Sequence, residues 1–156
     1  MKDILEAIRD LIEDQELKPQ PPASSVAIAS YEKILKDSDM VLPPELKELW
    51  SDQNGVFTDD FCIFYVYDSS SKSDLSSMSG GENDITEANR YWRRHEHFPK
   101  NHLAIGAGDF GLIVHNQKDD EFALMDEDTF EVLDSYPTLE EILDEILLTI
   151  EENHEE

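Results

Sequence analysis

Four groups of residues in this 156-residue chain have side chains suited to chemistry, and their spacing decides what each can do. Gly106, Gly108 and Gly111 stand at GxGxxG spacing in the string GAGDFG. A dinucleotide site needs a helix to open at the third glycine, so that its N-terminus holds the pyrophosphate. Leu112, Ile113 and Val114 continue as a strand-like run instead, so the glycines read as a hairpin turn that requires positive φ. The DFG within the string has neither the HRD catalytic loop nor the phosphate-covering loop of a kinase. His95 and His97 are two apart, a spacing that points side chains to different sides of a helix, and no Cys or Glu-x-x-His pattern joins them to His102 or His115. Asp126, Glu127 and Asp128 lack the alternating ligands, mid-loop glycine and distal Glu of a calcium loop, and read as an acidic turn. Cys62, the only cysteine, lies in an apolar run where a thiolate is disfavoured; it reads as a small packed side chain. The expectation is a protein with no catalytic set, no metal and no cofactor.

Binding is what remains. The chain has 37 acidic against 12 basic side chains, a formal net charge of −25, and no Lys or Arg after Lys118. Such a field repels nucleic acid phosphates and speeds the approach of basic proteins. Solubility alone is the blander account of the same charge. On the binding reading, Asp109 on the glycine turn and the acidic turns Asp119, Asp120, Glu121 and Asp126, Glu127, Asp128 form a charged rim. Tyr67 and Trp92 are the expected aromatic anchors, with Tyr65 and Tyr91 as further candidates and core packing as the alternative for all four.

These residues need a frame. Between Phe98 and Asp134 the apolar runs are short (Leu103 to Ile105, Leu112 to Val114, Phe122 to Met125, Phe130 to Leu133) and are separated by Gly, Asp or Asn clusters. That is the pattern of hairpin-linked strands. Phe61 to Tyr67, FCIFYVY, predicts a central strand buried on both faces. Helical spacing occurs in Asp3 to Leu17, Val26 to Leu35, LPPELKELWSDQNG, the segment from Asp84, and the final stripe of Leu139, Ile142, Leu143, Ile146, Leu147 and Ile150. Asn54 and Gly55 read as a left-handed helix stop, and Asp84 with Glu87 and Thr138 with Glu141 as capping boxes. Asp68 to Asn83 is Ser/Gly-rich and reads as a surface loop. The predicted fold class is α+β, a mainly antiparallel central sheet covered by helices. Residues 1–22 are expected to be a peripheral amphipathic helix with a Pro-rich connector, docked on its own domain or paired with a second copy as a homodimer; residues 23–156 are expected to be one domain. With one cysteine, no signal-peptide pattern and no apolar run near the ~18 residues of a spanning helix, the expected location is the cytoplasm, away from membranes.

From about Ile28 to Leu148 the order of motifs resembles the SUKH superfamily, which includes Smi/Knr-type cell-wall regulators and bacterial immunity proteins. The matching features are a leading helix followed by Leu42-Pro43, then Leu46 and Asn54-Gly55; Pro99 and the strand Leu103 to Gly106; Gly108-Asp109 before a strand; and a terminal strand pair entering the last helix. The resemblance implies an α+β fold without enzymatic activity and, for the bacterial members, a protein that binds and neutralises a cognate toxin, often a nuclease. Nucleases that grip phosphates tend to be basic, so this agrees with the charge. A regulatory or scaffold module of the Smi/Knr type, with no toxin partner, is the alternative.

Overall fold

The apolar runs between Phe98 and Asp134 fold into hairpin-linked antiparallel strands. The structure, a computed structural model, describes residues 1–70 and 83–154; most of the expected Ser/Gly-rich loop therefore lies outside the described residues. Elements follow in the order α1 (Lys2–Asp14), α2 (Ser25–Asp37), α3 (Pro44–Asp52), β1 (Val56–Phe57), β2 (Phe61–Ile63), α4 (Ile85–Arg93), β3 (His102–Gly108), β4 (Gly111–Asn116), β5 (Glu121–Met125), β6 (Val132–Tyr136) and α5 (Leu139–His154). The six strands pair antiparallel in chain order, β1 to β6, which makes the fold α+β.

The centre of the sheet is β3 and β4, where Leu103, Ala104, Ile105, Leu112, Ile113 and Val114 are all buried. Only one of the three motif glycines has positive φ, Gly111 at +117°; it ends the two-residue Asp109-Phe110 hairpin. Gly106 is needed for close approach instead, since a Cβ there would lie 2.4 Å from the Cys62 carbonyl oxygen of β2.

FCIFYVY is not a central strand. Only Phe61–Ile63 pairs with β3, one place from the sheet edge. After Phe64 the chain turns away, and Tyr65 pairs in parallel with Asp84 at the start of α4. The departure strips β3 of its neighbour at Ala104, and a side chain fills the gap: the Asn89 amide accepts from Ala104 N and donates to Ala104 O, both at 2.8 Å. Asn54 does the same for Val66 (2.9 and 3.0 Å), and Gln117 for Val41 (2.9 and 2.7 Å). The Asn89 and Asn54 amides stand in for a missing strand, because a buried backbone N–H or C=O without a partner is expensive; the Gln117 bracket is exposed. Asn54 is thus a cross-link rather than a helix stop. The residue after α3, Gln53, is extended, and the positive φ falls later, on Gly55.

Helices then bury the apolar residues. α5 packs on β5 and β6, with α1 and α3 against it. Its first turn is capped from outside, the Glu45 carboxylate of α3 accepting from Leu139 N and Glu140 N at 3.2 Å. Trp50 is fully buried, donates from Nε1 to Phe64 O at 2.9 Å and meets the Tyr31 ring edge-on. α1 buries Ile4, Leu5, Ile8 and Ile12 in the same core. Arg9 binds Asp52 from Nε and Nη2, and Gln15 brackets the β1–β2 turn through Asp60 Oδ2 and Asp59 N, each at 2.8 Å. Four of the five residues of the expected stripe are thus buried within the chain, and Leu11 is half-buried.

Candidate interaction surface

The exposed chemistry concentrates on α4. Asp84 caps this nine-residue helix by accepting from Thr86 N at 2.9 Å, and Asn89 anchors it to β3. Glu87 does not close the expected capping box; it pairs with Arg90 at 2.6 Å. Ile85, Ala88 and Asn89 face inward, which turns Tyr91 out to 53% exposure and leaves Trp92 half-buried. The Tyr91 and Trp92 rings meet edge-on at 5.0 Å, with His95 against both.

Phe130 joins them from the far end of the sheet. The expected strand Phe130 to Leu133 begins later, at Val132, because Phe130 sits at φ +60° in the β5–β6 connection. Asp126 builds that connection. Its Oδ1 accepts from Asp128 N (2.8 Å) and Thr129 N (2.9 Å), while its backbone bonds Phe130 N and Glu131 O. The backbone hydrogen bonds from Thr129 and Asp128 hold the Asp126 carboxyl below the usual carboxylate range. The turn delivers the Phe130 ring between Trp92 (6.1 Å), His95 (5.7 Å) and buried Phe98 (5.5 Å). Beside this cluster a cleft of about 670 Å³ opens over Phe64, Ala107, Tyr91 and Trp92. Its charged lining is Glu87, Arg94 and Glu127.

The structure brings together some of the expected site residues and separates others. Trp92 and Glu127 share the cleft. Asp109 stands at the same end of the sheet, since the β3–β4 hairpin adjoins the start of the β5–β6 connection: a Cβ on Gly111 would lie 2.3 Å from Met125 O. Asp119, Asp120 and Glu121 belong to the opposite end, roughly 20 Å away along β4 at ~3.3 Å per residue. There Asp120 Oδ1 accepts from His115 Nε2 at 2.9 Å, and Gln117 Nε2 contacts His115 Nδ1 at 2.7 Å. Tyr67, 44% exposed, lines a separate groove against α2. Next to it, buried Asp68 accepts from Ser24 N at 2.7 Å; burial pushes its carboxyl up, but hydrogen bonds from Ser70 and Ser24 outweigh that and hold it low.

Sequence reasoning missed Phe130, His95 and Arg94 as parts of this surface. Phe130 was hidden because its apolar type suits a strand, although the Asp-x-x-Thr run before it signals an Asx turn. Among the described residues no group of three or more His, Cys, Asp or Glu side chains is placed to hold a metal ion, and no helix is long and apolar enough to cross a membrane.

Comparison with known proteins agrees with the order of elements. No curated protein matches the chain. The family model described as SMI1 / KNR4 family (SUKH-1) matches residues 22–145, from just before α2 into α5 and with α1 outside it. The chain belongs to the SMI1/KNR4 family, SUKH-1.

Proposed function

We propose that this protein is an immunity-type binding protein that meets a cognate basic, nuclease-like toxin domain in the cytoplasm and neutralises it by covering its active cleft. The observation that carries the reading is the joining of Tyr91, Trp92 and Phe130 into one partly exposed aromatic cluster beside the α4 cleft. Aromatic side chains already packed against one another lose little entropy on binding, and the chain's excess of acid favours a cationic partner. Family membership and the −25 charge support the same reading. Asp109, Asp126, Glu127 and Asp128 at the α4 end, with Asp119 to Glu121 beyond, steer the partner in; Trp92, Phe130 and Tyr91 hold it. Tyr67 serves as an outlying contact.

The test is co-expression with a basic, nuclease-like toxin domain, sought first among the products of neighbouring genes. The expected result is rescue of growth by the wild-type chain and loss of rescue with a folded Tyr91→Ala/Trp92→Ala variant. Absence of rescue by the wild-type chain contradicts the proposal.

A further inference from the structure

A second groove, of about 420 Å³, lies between α4 and α2. Its floor is apolar, made by the buried residues Tyr31, Leu35, Met40 and Leu103. Arg90, Arg93 and Arg94 line it as well. Arg90 is neutralised by Glu87. Arg93 is not neutralised: Nη2 meets Met40 Sδ at 2.8 Å and the His102 carbonyl at 3.2 Å, both uncharged acceptors. The Arg94 guanidinium makes no hydrogen bond or ion pair among the described residues. The Tyr31 hydroxyl has no hydrogen-bond partner among them either, though the residue is only 5% exposed.

Of the chain's four arginines, Arg9 and Arg90 are paired with carboxylates, whereas Arg93 and Arg94, side by side on this groove, are not. The α4 dipole accounts for basic residues in its last turn. It does not account for an apolar floor and, beside them, a Tyr31 hydroxyl that makes no hydrogen bond and is open to the groove. Guanidinium forks match carboxylates bidentately, and a tyrosine hydroxyl supplies one more donor.

We propose that this groove is a carboxylate-binding site for a small monoanion with an apolar body. The body rests on Leu35, Met40 and Leu103; the carboxylate meets Arg93, Arg94 and the Tyr31 hydroxyl. A monoanion suits the site better than a multiply charged ligand, because the −25 field opposes each added negative charge. The toxin reading stands or falls separately, since this site is tested without any protein partner.

The experiment is a titration of the ¹⁵N-labelled full chain with phenylacetate, using benzyl alcohol and acetate as probes that lack the charge or the body. The expected result is saturable amide shifts confined to α2 and α4 around Leu35, Asn89 and Arg94, with a dissociation constant on the order of 1 mM. Benzyl alcohol and acetate should each bind about tenfold more weakly or less, and Arg94→Gln should weaken phenylacetate by about tenfold. Arg94 holds nothing else in place, so that variant keeps its fold; Arg93→Gln should act in the same direction. Shifts scattered over the surface, an equal response to benzyl alcohol, or an Arg94→Gln protein that binds phenylacetate as tightly as wild type would overturn the proposal.

Discussion

Two acidic turns that look alike in sequence, Asp119-Asp120-Glu121 and Asp126-Glu127-Asp128, do different work at opposite ends of the sheet. The first closes β4 to β5 over a polar knot in which Asp120, His115 and Gln117 satisfy one another and the Val41 backbone. The second spends its leading carboxylate on the local backbone and throws Phe130 against Trp92. Charge density is the same in both; the backbone after it is not. On the proposed function, an acidic run contributes to holding a partner when the turn it builds also delivers apolar area, because exposed charges alone are screened beyond ~8 Å at physiological salt.

The contrast can be broken most forcefully at the anchor of α4. Asn89→Ala removes both partners of a buried backbone residue and should destabilise the fold by about 3 kcal/mol in chemical denaturation. Gln117→Ala, which loosens the more exposed bracket at the other end, should cost about 1 kcal/mol. Equal losses would mean that the two ends are held alike. Next in size is Phe130→Ala, whose half-buried ring should contribute about 2 kcal/mol to stability and whose loss should quench the packing of Trp92, visible as a red shift in its fluorescence.

Lowering the pH separates the ends in another way. Burial, then the neighbouring His115, depress the His102 pKa below its ordinary 6.5. The unfolded chain therefore takes up a proton before the folded one does, so stability is complete above about pH 6.5 and falls as pH drops toward the folded value. The denaturation midpoint should fall between pH 7.5 and pH 5.5, and less so in His102→Gln. Asp126 has the opposite chemistry and the same sign: its depressed carboxyl gives stability above the ordinary carboxylate value of 3.8 that is lost on further acidification. Asp126→Ala should remove that acid limb.

The sheet was legible because its strands alternate with Gly, Asp and Asn, and α5 because its stripe is long; both are local signals. FCIFYVY misled for a tertiary reason. Its apolar run is buried from Phe61 through Val66 except for half-buried Cys62, with Tyr67 exposed, but strand pairing stops where the chain bends to meet α4, and burial alone cannot reveal that. The amide brackets were invisible for the same reason, since Asn54 before Gly55 has the type and position of a helix stop. Half of the candidate surface could be read: Trp92 and the acids were identified by type. Which acids stand near Trp92 depends on which ends of the strands share an edge, and Phe130 reaches the cluster only through a left-handed backbone that a non-glycine residue rarely adopts.

The central claim is that aromatic packing on α4 holds the partner and exposed acid only guides it. The most direct measurement is surface-binding kinetics with a basic toxin domain from which the wild-type chain rescues growth in the co-expression test, at low and high salt, for Trp92→Ala and for Asp119→Asn/Glu121→Gln. Trp92→Ala should stay folded and dissociate about 30-fold faster, the loss of about 2 kcal/mol expected of a buried anchor, with association little changed. The acidic pair should associate more slowly at low salt and dissociate at the wild-type rate. A folded Trp92→Ala protein that dissociates no faster, beside an acidic variant that does, would contradict the account.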